Sequence, residues 1–505
     1  MADISKTAEQ ELAELRVQFD AVLAERDELR AKLNALLKQV YGRRSERYVD
    51  DGHPLLPFDE PEDPPPPHVD EAPDGDDPLE EPHGRKPRRR GAPRLPADIK
   101  RVIEEVPPSE AELRCSCCDQ PRMIIGYEET EKLEYQPANC YLRVIRRPKL
   151  ACKLHEEAGV VTPSLPPQVI DKGLAGETML AQVITAKYRD HLPLYRQAGI
   201  YARQGVDIPE STLGDWIRQG SDVLQGVVAA IARQALASGY VSTDDTKVTL
   251  LTKESPTGSK QAHLWVYSGE QPGDVVFDFT RGRSGDGPKR VLAGFKGYLQ
   301  ADAYSAYDNL FGSGEIIEVG CMAHARRKFR DALDTAPEFA KPAMQAIQAL
   351  YYVERECKAL GMSPEQRFAK RQAESKGTFD ALRVWIAELK SRTLPKSPIG
   401  KATKYFDRHA AALGRFLENG RLEIDNNRSE RAMRQVAVGR KNWLFAGSED
   451  GGQRAATLYS LTVSCWELGV DPYAYLSDVL RRVNSTPESE IATLTPRLWA
   501  AARRS

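Results

Sequence analysis

The hydrophobic period changes near residue 239, and this change constrains the fold more than any other feature. Upstream, "ETMLAQVITAKYRDHL", "PLYRQAGIYARQG" and "ESTLGDWIRQG" space their apolar residues as helices do. Downstream, "YVSTDDTKVTLLTK", "AHLWVYSG" and "DVVFDFT" read as three successive strands with turns between them. A short helix, "GPKRVLAGF", leads to a fourth strand, "GYLQADAY", and after another helix comes "EIIEVGC". Three antiparallel strands followed by alternating helix and strand predict a mixed α/β layer.

That element order is the order of the ribonuclease-H-like fold. Two acids punctuate it: Asp244 closes "GYVSTD" and Asp302 closes "GYLQAD". An acid after an apolar strand is expected where the backbone leaves the sheet. Two such acids from adjacent strands repel unless a cation neutralises them, so together they read as ligands for a divalent metal. Either alone serves as well to cap a turn. Asp245 alternates to the opposite face. The stretch "EIDNNRSERAMRQ", residues 423–435, has two readings. Asn427 and Glu430 resemble a capping box, and Glu430 with Arg434 a helix-surface pair. Yet Asn427, Glu430, Arg431 and Arg434 share one broad helical face, a set suited to metal, phosphate and backbone oxygens.

A chain of 505 residues predicts several domains. It has no apolar run long enough for a membrane span and no signal-peptide core at its polar, acidic start. Eight unevenly clustered cysteines suit a reduced, cytosolic protein better than a disulfide scaffold. A net charge of −2 does not announce a nucleic-acid binder, but it hides local asymmetry. Residues 8–48 begin with a heptad helix: Leu12, Phe19, Leu33 and Val40 fill one seam position, interrupted by Arg26, and Leu15, Val22, Leu29 and Leu36 the other. This favours a self-associating coiled coil over a single helix packed on its own domain. Residues 49–97 form a Pro- and acid-rich linker, read as disordered, that ends in "GRKPRRRGAPR". There Arg88, Arg89 and Arg90 suit phosphates or a narrow minor groove, unless the acidic block pairs with them. Cys115 and Cys118, then Cys152 and His155, give the C-x2-C…C-x2-H spacing of a zinc ribbon. Cys117 competes with Cys118 for the ligand role, and Cys140 is spare. Around Gly205 and Asp207, the helices of 171–235 have the outline of a helix-turn-helix.

Taken in order, "LLKQVYGRRSERY", "KYRDHLPLYRQ", "DDTKV", "GYLQADAYSAY", "VGCMAHARRKF", "DNNRSERAMR", "GRKNWLFAGS" and "DPYAYLSDVL" resemble the IS66 family of bacterial insertion-sequence transposases over almost the whole chain. The resemblance implies a multidomain α+β protein. A coiled-coil helix (8–48), the linker and arm (49–97), a zinc module (98–170) and a helix-turn-helix domain (171–235) would precede a ribonuclease-H-like catalytic domain (236–450). An all-α insertion at about 333–420 and a C-terminal helical segment (451–505) would complete it. Asp244, Asp302 and Glu430 would form a DDE triad holding two Mg2+ ions, with Mn2+ as a substitute, about 3.5–4 Å apart. Cys115, Cys118, Cys152 and His155 would hold one structural Zn2+.

The chain departs from the family with "DDT" in place of "DET", and with His155 where a fourth cysteine is usual. Cys321 and His324 have ligand spacing but no second pair nearby, so they are expected to shape the core. Arg326, Arg327, Lys328, Arg440 and Lys441 suit phosphate contacts, and Trp443 suits base stacking or a plain core role. The implied activity is cleavage at the element's ends and strand transfer, without a covalent protein–DNA intermediate. The implied partners are element ends, target DNA, a second copy or more of the chain, and accessory proteins of the same element. The implied place is the bacterial cytoplasm, at the nucleoid. Two rival readings are a non-catalytic DNA-binding regulator and a metal-dependent nuclease that does not join DNA.

Overall fold

The computed structural model describes residue 26 and residues 99–504 other than 137–138, 155–158, 171 and 313. The coiled coil, the linker, the arm with Arg88, Arg89 and Arg90, and His155 lie outside the described residues. Those described form two compact units, one of 99–295 with 428–504 and one of 296–427. Both mix helices and strands, and no described helix is long and apolar enough to cross a membrane.

The larger unit begins with a sheet of β1 (Arg101–Glu105), β2 (Met123–Gln136), β3 (Asn139–Ala151) and β4 (Val160–Val161). β2 and β3 form one long antiparallel hairpin, paired from Met123↔Ala151 to Gln136↔Asn139. β1 runs parallel to β3, and β4 antiparallel to it. Three helices follow: α1 (Glu177–Tyr188), α2 (Leu194–Arg203) and α3 (Glu210–Ala237). Between α2 and α3, Gly205 takes a φ of 82°, and Val206 and Ile208 turn inward, 2% and 1% exposed. α3 continues well beyond "ESTLGDWIRQG", because Leu213, Ile217, Leu224, Val227 and Ile231 extend one buried stripe at helical spacing. That stripe belongs to the same core as the strands after it, so the helices before residue 235 and the sheet beyond it are packed as one body.

Those strands are β5 (Tyr240–Leu251), β6 (Ser259–Ser268) and β7 (Val275–Thr280), antiparallel in the order β7-β6-β5. The expectation that Asp244 marks a strand end is corrected here. β5 runs on through both acids, with Asp244 opposite Val266 and Asp245 opposite Trp265. What changes at Asp244 is the covering: residues 240–243 are all buried, whereas from 244 onward the strand is only partly covered. The acid emerges where the covering layer ends.

The second unit contains the parallel pair β8 (Gly297–Gln300) and β9 (Ile316–Val319), in register from Gly297↔Ile316 to Gln300↔Val319. Helices follow, the longer of them α4 (Met322–Arg330), α5 (Pro337–Ala359), α6 (Pro364–Lys370), α7 (Lys376–Ser391) and α8 (Pro398–Arg408). Local chemistry starts several of them. Proline stands at the first position of α6 and α8, and the preceding serines cap them: Ser363 accepts from Gln366 N at 3.3 Å and Ser397 from Gly400 N at 3.1 Å.

A π-helical turn, Arg371–Ser375, joins α6 to α7 and carries a buried guanidinium. Arg371 donates to both oxygens of Glu354 at 2.7 and 2.8 Å. It also donates to the carbonyls of Phe416 (2.6 Å), Asn419 (3.1 Å) and Leu422 (2.8 Å). These contacts use the full donor set of an arginine and hold the chain that leads into residues 423–427. Gln300 secures the same chain by donating to Glu423 O at 2.9 Å.

The chain then enters α9 (Asn427–Trp443), the two-residue β10 (Phe445–Ala446), α10 (Glu449–Glu467), α11 (Pro472–Arg482) and α12 (Pro496–Arg504). β10 adds in parallel to β5 through Phe445↔Thr249 and Ala446↔Leu250. α10 covers the far edge of the sheet, where β7 leaves amides unpaired. Ser464 and Ser460 accept from Val275 N (3.3 Å) and Phe277 N (2.8 Å), and Gln453 donates to Phe279 O (2.8 Å). The contact is close: a Cβ on Gly452 would lie 2.5 Å from the Phe279 ring. Polar side chains on one helix face stand in for a neighbouring strand and close an otherwise adhesive edge.

Candidate active site and metal centre

The candidate metal centre follows from the β2–β3 hairpin. Pairing Met123 with Ala151 places Cys152 at the end of β3, beside the turn that precedes β2. In that turn Cys115 N donates to Gln120 O (3.0 Å) and Asp119 N to Cys115 O (2.9 Å), which folds Cys115 and Cys118 inward. The sulfurs of Cys115, Cys118 and Cys152 all lie within 4.8 Å of one another, and those of Cys118 and Cys152 are 3.7 Å apart. Tetrahedral zinc with Zn–S bonds of about 2.3 Å requires sulfurs about 3.8 Å apart, so the three thiols fit such an ion. The amide of Cys117 helps to draw the Cys115 thiol down to about 6, towards the thiolate that a metal binds. Cys117 itself is exposed and outside the cluster. Replacing Cys115, Cys118 or Cys152 by serine is expected to reduce bound zinc from about one per chain to near zero. Cys117→Ser should retain it, as measured by elemental analysis of the purified protein.

In the larger unit, Asp244 and Glu430 stand on two elements that touch. Glu430 lies in the first turn of α9. Next to it, Ser429 shares a buried 2.7 Å hydrogen bond with Ser242. Ser242 and Asp244 are two apart on β5 and therefore point to the same face. The helix start is also pinned by Arg428, which donates to the carbonyls of Gly269, Glu270 and Gln271 and pairs with Glu467 at 3.0 Å. Asp245 has a different fate. His263 Nδ1 lies 2.7 Å from its Oδ2, and Arg283 donates to its Oδ1 at 2.7 Å. That carboxylate is neutralised within the protein. Asp244 and Glu430 are half-buried carboxylates, oxygen ligands of the kind hard cations take.

In the other unit, Asp302 follows β8 by two residues. Its Oδ1 accepts from Tyr304 N at 3.1 Å, and its carbonyl from the Tyr405 hydroxyl at 3.4 Å. Ala303 beside it has a φ of 64°, a left-handed conformation uncommon outside glycine. Such strain is often stored next to functional groups. Asp425 is an organising residue. It accepts from the Tyr351 hydroxyl (2.7 Å), Asn427 N (3.1 Å) and Asn427 Nδ2 (3.0 Å). Asn427 is thus the first helical residue, held by Asp425 two residues earlier. Cys321 is fully buried and its sulfur accepts from Asn426 N at 3.4 Å, so the turn after β9 and the entry to α9 are fastened together. His324 is half-buried on α4.

The basic residues separate by burial and partner. Arg326 is 7% exposed and faces the interior, while Arg327 is exposed and Lys328 lies over the Tyr405 ring at 4.8 Å. Arg440 is committed to β5, donating to Thr246 Oγ1 at 3.2 Å and to the carbonyl of Lys247. Trp443 Nε1 donates to the Tyr459 hydroxyl at 3.1 Å, with the indole half-buried against the core. Arg434 and Lys441 are exposed and Arg431 is half-exposed. Sequence reasoning assigned nothing to Ser242, Ser429, Arg428 or Arg371. Only the motif around 423–435 hinted at the middle two.

The sequence matches three family profiles. "Transposase IS66 family" covers residues 172–454, "IS66 C-terminal element" covers 460–497, and "Transposase C of IS166 homeodomain" covers 28–103. The uncharacterized protein y4jD of Sinorhizobium fredii is 33% identical over 495 residues, covering 94% of this chain and 95% of that protein. The uncharacterized protein y4qI of the same organism is 37% identical over 432 residues, covering 82% of this chain and 78% of its own.

Proposed function

We propose, from the premise that the chain belongs to the IS66 family of transposases, that it cuts DNA at the ends of its insertion sequence and joins the freed 3′ ends to target DNA. The observation that carries this reading is the Ser242–Ser429 hydrogen bond, which ties the helix turn bearing Glu430 to the strand bearing Asp244. Asp302, beside its strained neighbour, would provide the third carboxylate of a ribonuclease-H-like DDE core. Mg2+ or Mn2+ held by Asp244, Asp302 and Glu430 would supply activation of water and of the attacking 3′-OH, and neutralise charge on the leaving oxygen.

The protein's own residues would bind and orient the DNA. Arg431 and Arg434, on the same helix as Glu430, are suited to hold the phosphates next to the scissile one. Arg327, Lys328 and Lys441 offer further backbone contacts, whereas Arg326 and Arg440 serve the fold. The zinc module, with His155 as fourth ligand, the turn between α2 and α3, and the basic arm would recognise the element's ends. The N-terminal heptads would pair two copies, so that two ends are held together. Phosphate contacts of this kind make end binding weaken steeply with salt.

The test incubates the purified full chain with labelled element ends, target DNA, Mg2+ and the element's accessory proteins. Joined product is expected. Nicking without joining would replace the reading with a nuclease, and binding without cleavage in Mg2+ or Mn2+ would replace it with a regulator.

A further inference from the structure

The larger unit holds a cavity of about 180 Å3 near the end of α9, walled by Ile217, Leu264, Phe279, Trp443 and Tyr459. An engineered cavity of about 150 Å3 accepts benzene, so this one has room for a single planar ring system. Its lining is mainly apolar, yet it includes two half-buried cations, Lys187 and Arg454. Neither makes a hydrogen bond or ion pair among the described residues. Burial pulls the Lys187 ammonium below its ordinary value, and Glu210 opposes this only through space. Lys187 lies over the Tyr188 ring at 5.8 Å, and neither cation is bonded to a carboxylate among the described residues, so both can meet an anion at the cavity. A flat apolar body attached to an anionic group is the chemistry of a nucleotide.

The adjoining backbone points the same way. Leu444 takes a φ of 60° at the end of α9, a position where helices usually place glycine. Leu444 is 63% exposed and Phe445 45% exposed. An apolar tip on a strained residue, beside a ring-sized cavity, has the makeup of a wedge that enters a base stack.

We infer that this cavity receives one nucleobase turned out of the duplex at or next to the element end. Leu444 enters the stack in the base's place, Trp443 and Tyr459 line the receiving wall, and Lys187 and Arg454 neutralise the flanking phosphates. The inference rests on the transposase reading and adds to it a mode of end recognition.

A mismatch scan tests it. The full chain is titrated with end-containing duplexes in which each base pair across the junction is mismatched in turn. A mismatched base is extruded at lower cost, so one position should tighten binding about tenfold. Gly214→Leu, which places a side chain in the cavity, and Leu444→Ser, which removes the tip, should each abolish that gain. Both should still bind unrelated duplex with the wild-type salt dependence, and circular dichroism should confirm that they fold. If Gly214→Leu does not fold, Leu444→Ser and Lys187→Gln decide. No tightening at any position, or tightening that persists in the variants while the ends are still cut, overturns the pocket alone. Loss of end-specific binding and cleavage in the wild-type chain overturns the transposase reading and the pocket with it.

Discussion

Glu430→Gln is expected to lower cleavage and joining of element ends by ~10³-fold or more, while end binding and thermal stability stay near wild type. The substitution keeps the size and hydrogen-bonding shape of the side chain but removes the charge that a divalent cation requires. Metal-assisted phosphoryl transfer draws several kcal/mol from that interaction. Asp244→Asn and Asp302→Asn should behave alike. Asp425→Asn should differ, because Asp425 is occupied by Tyr351 and Asn427 as the brace of the helix start. It should cost about 1 kcal/mol of stability and leave most of the activity. Single-turnover cleavage, filter binding and thermal unfolding of the four variants check these outcomes. Equal loss of activity in Asp425→Asn and Glu430→Gln would remove the distinction between brace and ligand.

Arg371→Met is expected to be the most damaging substitution away from the proposed metal ligands, at about 3–5 kcal/mol of stability. The guanidinium is fully buried, and it satisfies Glu354 together with three main-chain carbonyls. Methionine fills the space but leaves a buried carboxylate with Arg367, at 2.6 Å, as its one remaining cation among the described residues. Lysine should rescue little, since a compact ammonium cannot reproduce a planar fork reaching four groups. Urea unfolding, followed with hydrogen exchange at residues 415–427, would measure both the loss and its location. An unchanged midpoint would show that the network is dispensable.

Much of the architecture was legible in the sequence because it follows from local periodicity. The period-2 runs after residue 239 appear as β5, β6 and β7, and the long helical stretch near 333–420 appears as α5 to α8. The Cys115–Cys118 pair was legible for a similar reason, since a two-residue spacing permits two sulfurs on one turn, whereas His155, expected beside Cys152, lies outside the described residues. Side-chain alternation separated Asp244 from Asp245, although it could not show that His263 and Arg283 claim the latter. The strand end expected at Asp244 failed because apolar content reports burial, while strand length is decided by pairing. β6 keeps hydrogen-bonding past both acids, so β5 continues.

By itself, the sequence determined the order of the main helices and strands, the Cys115–Cys118 spacing, and the acids available to hold a metal. Each is a property of residues near one another along the chain. Only the tertiary structure decided which of these groups are already committed. It brought Cys118, not Cys117, beside Cys115 and Cys152, gave Arg440 to β5 and Arg326 to the interior, and bonded Ser242 to Ser429, 187 residues away. The physical reason is that a charge or hydroxyl has many partners of equal chemistry along a chain. Which one it meets depends on how distant segments pack, and no local pattern records that.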